Sequence, residues 1–111
     1  MAGEAAETVL CLHRVVEGKQ DALLELCREH DRVLRRLGLC RDEPATTLYL
    51  GQDGPGRQFI VVAFDWKSAA AVEAAHHHPE VQKLWEAMAP LCEERDGRPG
   101  MEFPHVQRIV L

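Results

Sequence analysis

Apolar and β-branched residues dominate Thr8 to Val16, a strand-forming run. Val9, Cys11, His13 and Val15 fall on one face, and Leu10, Leu12, Arg14 and Val16 on the other. Both faces are largely apolar, so the segment reads as a strand covered on both sides. From about Lys19 to Leu37 the apolar spacing is that of a helix. Leu23, Leu26, Cys27, Val33, Leu34 and Leu37 then share one stripe. Asp21 and Glu25 lie early in this helix and Arg35 and Arg36 late, as the helix dipole favours. Gly18 precedes it, Gly38 stops it, and Leu39 is placed to close the hydrophobic contact behind that stop.

Two more strands follow, Ala45 to Gly51 and Gln58 to Trp66, joined by a glycine- and proline-rich hairpin loop, Gln52 to Arg57. The run Phe59 to Phe64 is apolar without alternation and needs cover on both faces. Ser68 is placed to cap a second helix, accepting from the amide of Ala70 or Ala71. That helix carries Val72 and Ala75 inward and restarts at His78-Pro79, with Pro79 at its first position. Val81, Leu84, Trp85 and Met88 continue as a core face, and Pro90 ends or kinks it. Cys92 to Gly100 reads as a charged loop and His105 to Leu111 as a last strand.

The order β-α-β-β-α-β is the ferredoxin-like arrangement, an α+β fold with an antiparallel sheet and two helices on one face. One helical layer covers one face only. The other would expose a patch that monomers seldom leave open. Sheet-to-sheet packing of a homodimer, forming a dimeric α/β barrel, resolves the conflict. One domain is expected over residues 8–111, with residues 1–7 a disordered tail.

Composition narrows the chemistry. The chain has 111 residues, 46% of them hydrophobic and 28% charged, which suits one globular core. No apolar run is long enough to cross a bilayer, and no membrane association is expected. A net charge of −5 without a basic stripe argues against a nucleic-acid partner. The four cysteines Cys11, Cys27, Cys40 and Cys92 are widely spaced, with no C-x-x-C and no export signal, so a cytoplasmic location is expected. Cys11, Cys27 and Cys92 read as small buried hydrophobes rather than activated thiols.

The run Trp66-x-Ser68, then Glu73-Ala74, then Pro79, together with Gly18 before the first helix, resembles the antibiotic biosynthesis monooxygenase family of dimeric α/β-barrel proteins. The likeness is nearest to its quinol-monooxygenase branch and extends over nearly the whole chain. It implies a cofactor-independent oxygenase acting on a small aromatic or quinol-type compound. In the same register, the Asn, Trp and His of the haem-degrading branch are replaced by Cys11, Ala75 and Trp85, so haem degradation is not expected. The His that often follows the Glu-Ala pair in quinol monooxygenases is Ala75 here, and His76 comes one residue later, ~100° further around the helix.

A pocket in such a fold lies between sheet and helices, so polar residues on inward faces are the candidates. His30 lies mid-stripe, and its imidazole suits a general base that deprotonates a phenolic substrate. The alternative is a hydrogen-bonded core histidine, the usual state of a buried polar group. His13 is a second candidate, and Arg14 a holder for a substrate oxyanion or one half of an ion pair. Tyr49, Trp66 and His76 are candidate substrate-binding residues, each with a packing role as the alternative. His76-His77-His78 is not expected to bind a metal, because neighbouring helical residues diverge by ~100° and no i, i+4 pair is present. No cofactor site is expected, since neither a phosphate-binding glycine loop nor a dinucleotide fingerprint occurs. The partners expected are a small hydrophobic or aromatic molecule and a second copy of the chain. A non-catalytic dimer that binds a small hydrophobic ligand in the same pocket is the alternative function.

Overall fold

A computed structural model describes residues 7–111. The elements run β1 (Glu7–Arg14), α1 (Gln20–Arg36), β2 (Thr47–Gln52), β3 (Gln58–Trp66), α2 (Ala69–His76), α3 (Pro79–Met88), a 3-10 turn at Ala89–Leu91, β4 (Met101–Glu102) and β5 (His105–Val106). The sheet order is β2-β3-β1-β4, with β5 also pairing with β1, and every pairing is antiparallel. This is the ferredoxin-like α+β arrangement. Among the described residues no helix is long and apolar enough to cross a membrane.

Directly opposed residues of an antiparallel pair share a face, so the register assigns every side chain. Val9, Cys11 and His13 of β1 stand opposite Phe64, Val62 and Ile60 of β3 and point toward the helices. Leu10, Leu12 and Arg14 stand opposite Ala63, Val61 and Phe59 and point away. The core is built from the first set with Leu23, Val33 and Leu34 of α1, Ala71 and Ala75 of α2, and Val81 and Met88 of α3.

The helix signals act as their chemistry dictates. Ser68 Oγ accepts from the Ala71 amide at 3.1 Å. His78 caps α3, its Nδ1 accepting from the Glu80 amide at 3.2 Å, with Pro79 in the first turn. Gly38 takes φ +71, and the Leu39 amide reaches back to the Leu34 carbonyl, closing the end of α1.

The C-terminal part departs from expectation. The last strand, expected at His105 to Leu111, is two short pieces, Met101–Glu102 and His105–Val106, and residues 107–111 are in no strand. Pro104 brings no amide to the ladder, although its carbonyl still accepts from the Leu10 amide at 3.0 Å. Beyond β5, Arg108 pairs with Asp65 through two contacts of 3.2 Å instead of continuing the strand.

The Cys92 to Gly100 loop also carries a buried cation. Arg95 donates to the Val15 carbonyl at 2.8 Å and the Gln58 carbonyl at 3.1 Å, joining the ends of β1 and β3. Cys92 is half-buried rather than buried, whereas Cys40 is in the core. Glu7, expected in the tail, is the first residue of β1, and the rest of that tail lies outside the described residues.

Two substitutions separate core from cap. Ile60→Ala removes a fully buried side chain at the sheet centre and is expected to cost about 3 kcal/mol. Ser68→Ala removes one cap and is expected to cost about 1 kcal/mol. Urea unfolding of both variants checks the ordering.

Candidate functional site

A cavity of about 300 Å³ opens between the sheet and the helices. Its inner wall is formed by Val9, Cys11, Phe64 and Trp66 of the sheet, with His30 of α1 and Trp85 of α3. Its mouth is formed by Val72 and His76 of α2 and by Met101, Phe103 and His105 of the C-terminal segment. Each arrives by the periodicity of its own element. Val9 and Cys11 alternate inward on β1, Phe64 and Trp66 on β3, and His30 lies within the helical stripe that buries Leu23, Cys27 and Leu34. A second cavity of about 20 Å³, room for a single water-sized group, adjoins the first. The two share Cys11, His30, Phe64, Trp85 and Phe103, and the smaller adds His13.

Edge-to-face packing joins most of the aromatic rings, with His30 tilted at 39° to Trp85. Phe64 and Trp66 centroids lie 5.0 Å apart, and His76 and Trp85 centroids 5.1 Å apart. The His30 ring stands 6.2 Å from Phe64 and 6.3 Å from Trp85. The result is a flat-walled, largely apolar chamber with imidazoles as its polar groups.

Hydrogen bonding distinguishes the two inner histidines. Trp85 Nε1–H donates to His30 Nε2 at 3.0 Å. An indole N–H has only a proton to give, so Nε2 carries the lone pair and neutral His30 carries its proton on Nδ1. Burial, then the neighbouring His13, push the His30 pKa down to about 4, with Asp31 opposing. His30 is therefore neutral at pH 7. His13 has the opposite assignment. The residue is 3% exposed, and its Nδ1–H donates to the Ile60 carbonyl at 3.2 Å, which leaves Nε2 with the lone pair. Burial also lowers the His13 pKa, against the Ile60 and Cys11 backbone groups, which raise it.

Of the candidates read from sequence, the structure brings His30, Trp66 and His76 together at the larger cavity and His13 at the adjoining one. Arg14 does not join them. It sits on the opposite face of β1, where it pairs with Glu102 at 2.5 Å and donates to the Pro99 carbonyl at 2.7 Å. Strand alternation separates it from its neighbour His13, so Arg14 lies on the face away from the cavity that holds His30. Tyr49 is likewise outside the cavity, 59% exposed and opposite Val61 on the outward face. His30 is in place, but the lone pair that a base needs is engaged by Trp85.

Sequence reasoning did not find Met101, Phe103 and His105, nor the donor role of Trp85. The C-terminal segment reaches the cavity only because it pairs with β1, a contact that no local pattern signals. Trp85 lies four residues after Val81 and three before Met88, a spacing that reads as core packing. Burial pushes the thiols of Cys11 and Cys27 up to about 12, the opposite of activation. Among the described residues no group of three His, Cys, Asp or Glu side chains could hold a metal ion, and His77 instead meets Glu73 at 2.8 Å.

No protein-family model matches the chain, and no curated protein matches its sequence. Solved structures do share its fold. An antibiotic biosynthesis monooxygenase is similar with a TM-score of 0.68 and 18% identity, over 94% of this chain and 99% of that one. SnoaB, a cofactor-independent oxygenase from Streptomyces nogalater, is similar with a TM-score of 0.66 and 15% identity, over 96% and 97% of the two chains. Rv0793 from Mycobacterium tuberculosis matches with a TM-score of 0.66 and 12% identity, over 96% and 98%. The chain thus has the fold of the antibiotic biosynthesis monooxygenases, as the Trp66 to Pro79 run implied. Identities this low carry the fold and leave the substrate open.

The neutral state of His30 has a consequence for stability. Between pH 6.5 and about 4 the unfolded chain protonates this imidazole and the folded chain does not, so stability falls as the pH drops through that window. His13 acts in the same direction. His30→Gln keeps an acceptor for Trp85 and removes the titration. Its urea midpoint is expected to fall less steeply between pH 6.5 and 4 than that of the native chain.

Proposed function

We propose that this protein is a cofactor-independent monooxygenase for a small, flat, uncharged aromatic compound of phenolic or quinol type. The observation that carries the reading is the chamber of about 300 Å³ walled by Phe64, Trp66 and Trp85, with neutral His30 in its wall and neutral His13 in the small cavity that adjoins it. The shared fold with a cofactor-independent oxygenase supports it. No Lys or Arg lines either cavity, which favours a ligand without a carboxylate or phosphate.

In this reading the residues bind, deprotonate and shield. The aromatic walls hold the ring and exclude water. His13 Nε2 accepts the hydroxyl proton, and the resulting anion is electron-rich enough to react with dioxygen. For a substrate that presents a CH₂ group, as an anthrone does, CH₂ becomes C=O. One oxygen atom of O₂ stays on carbon and the other leaves as water with both hydrogens. The substrate supplies all four electrons, so no further reductant enters.

The same fold holds a ligand without turning it over. The low basicity of both inner imidazoles favours this second reading, a non-catalytic carrier of small hydrophobic molecules. In either case we expect a homodimer joined through the outward sheet face, where Leu10, Leu12, Phe59, Val61 and Tyr49 are not covered by the helices.

Oxygen uptake over hydroquinones, naphthols and anthrones tests the first reading. His13→Gln is expected to slow it about 100-fold or more, the usual contribution of a general base. No uptake with any of these compounds, alongside tight binding of naphthols, would replace the enzyme with the carrier. For the dimer, Val61→Asp places a charge in the outward face and is expected to halve the mass seen by light scattering, with unchanged circular dichroism.

A further inference from the structure

Trp85 has a role that its core spacing hides. Its indole N–H faces the Nε2 of His30 at 3.0 Å, across from α3 to α1. Had His30 carried its proton on Nε2, two N–H groups would meet and both would lose a partner in a largely apolar wall. The contact therefore selects the Nδ1–H form. Among the described residues no sealed side-chain nitrogen or oxygen lacks a partner. The His30 Nδ1–H has no protein partner either, so it is open to the cavities that its ring lines. The same holds for His13 Nε2, whose sister nitrogen is taken by the Ile60 carbonyl. The small cavity of about 20 Å³ thus has an imidazole donor and an imidazole acceptor among its walls.

We propose that Trp85 is a positioning residue that fixes His30 as a hydrogen-bond donor. His30 and His13 together then form a subsite for one hydroxyl oxygen of an aromatic ligand. The hydroxyl donates its proton toward His13 Nε2 and accepts from His30 Nδ1–H. An oxygen that loses its proton there remains hydrogen-bonded through His30. The ring of the ligand occupies the larger chamber. A group of the same size without a proton, such as an ether oxygen, satisfies His30 and leaves His13 unpaired. This inference rests on the ligand site of the proposed function but not on turnover, since a carrier would recognise a hydroxyl in the same way.

The test combines a spectroscopic and a binding readout. In long-range ¹H–¹⁵N spectra of the labelled protein at pH 7, with the His30 signals assigned through His30→Gln, Nδ1 is expected to be protonated and Nε2 not. In Trp85→Phe the ring remains and the donor is lost, so the His30 pattern is expected to shift toward the Nε2–H form. Binding is measured with 1-naphthol against 1-methoxynaphthalene. The native protein is expected to prefer the naphthol about tenfold, the scale of a single hydrogen bond, and Trp85→Phe to lose most of that preference. Native His30 protonated on Nε2 would overturn the proposal, even if Trp85→Phe proves unfolded. A folded Trp85→Phe with an unchanged tautomer and unchanged preference would overturn it as well. Neither readout depends on oxygen consumption, so a protein that consumes none can still bear the inference out.

Discussion

The eight-residue antiparallel ladder between β1 and β3, running from Glu7 opposite Trp66 to Arg14 opposite Phe59, sets the terms for everything built on it. Because side chains alternate, this one register decides which residues meet the helices and which face outward. A slip of one residue would turn Cys11 and His13 out of the core and Arg14 into it. The ends of the ladder are fastened separately. Arg95 bridges the Val15 and Gln58 carbonyls at one end, and the Asp65 pair with Arg108 and Thr8 holds the other. Burial raises the Asp65 pKa, but Arg108 and Thr8 outweigh it and hold the carboxyl below its ordinary value.

The candidate site follows from what the ladder leaves unfilled. The second helical layer is broken at His78-Pro79, and α2 is short and rich in alanine, with small side chains over the sheet. Small residues there make room above Val9, Cys11 and Trp66, and the aromatic rings of Phe64, Trp66 and Trp85 wall that room without filling it. The C-terminal segment then borders it with Phe103, which is 47% exposed and stands 6.4 Å edge-on from His13. A chamber of this kind binds by shape and ring contact, and its few polar atoms decide orientation. That is why the protonation of individual nitrogens matters more here than the count of histidines.

Much of this was legible in the residues themselves. The inward set of β1, the stripe of α1, the Ser68 cap and the Pro79 restart all rest on local chemistry, and local chemistry is written within a few neighbours. The bounds of β3, Gln58 to Trp66, coincide with those read from its apolar run. His13 and Arg14 were assigned to opposite faces by alternation alone, and their separation in space follows from it. The resemblance carried by Trp66, Ser68, Glu73 and Pro79 pointed to the same fold, because those positions are caps, breaks and packing points.

What the sequence determined by itself was the element order, the faces of each element and a short roster of polar residues on inward faces. Only the tertiary structure decided what those residues can do. The hydrogen bond between Trp85 and His30 spans 55 residues, and the one between His13 and the Ile60 carbonyl spans 47. Periodicity reports which way a side chain points and is silent on what stands opposite. Here the partner opposite decides whether an imidazole offers a proton or a lone pair. The C-terminal residues reach the cavity for the same kind of reason, since Met101 and His105 are placed by their pairing with His13 and Val9 on a strand more than eighty residues earlier.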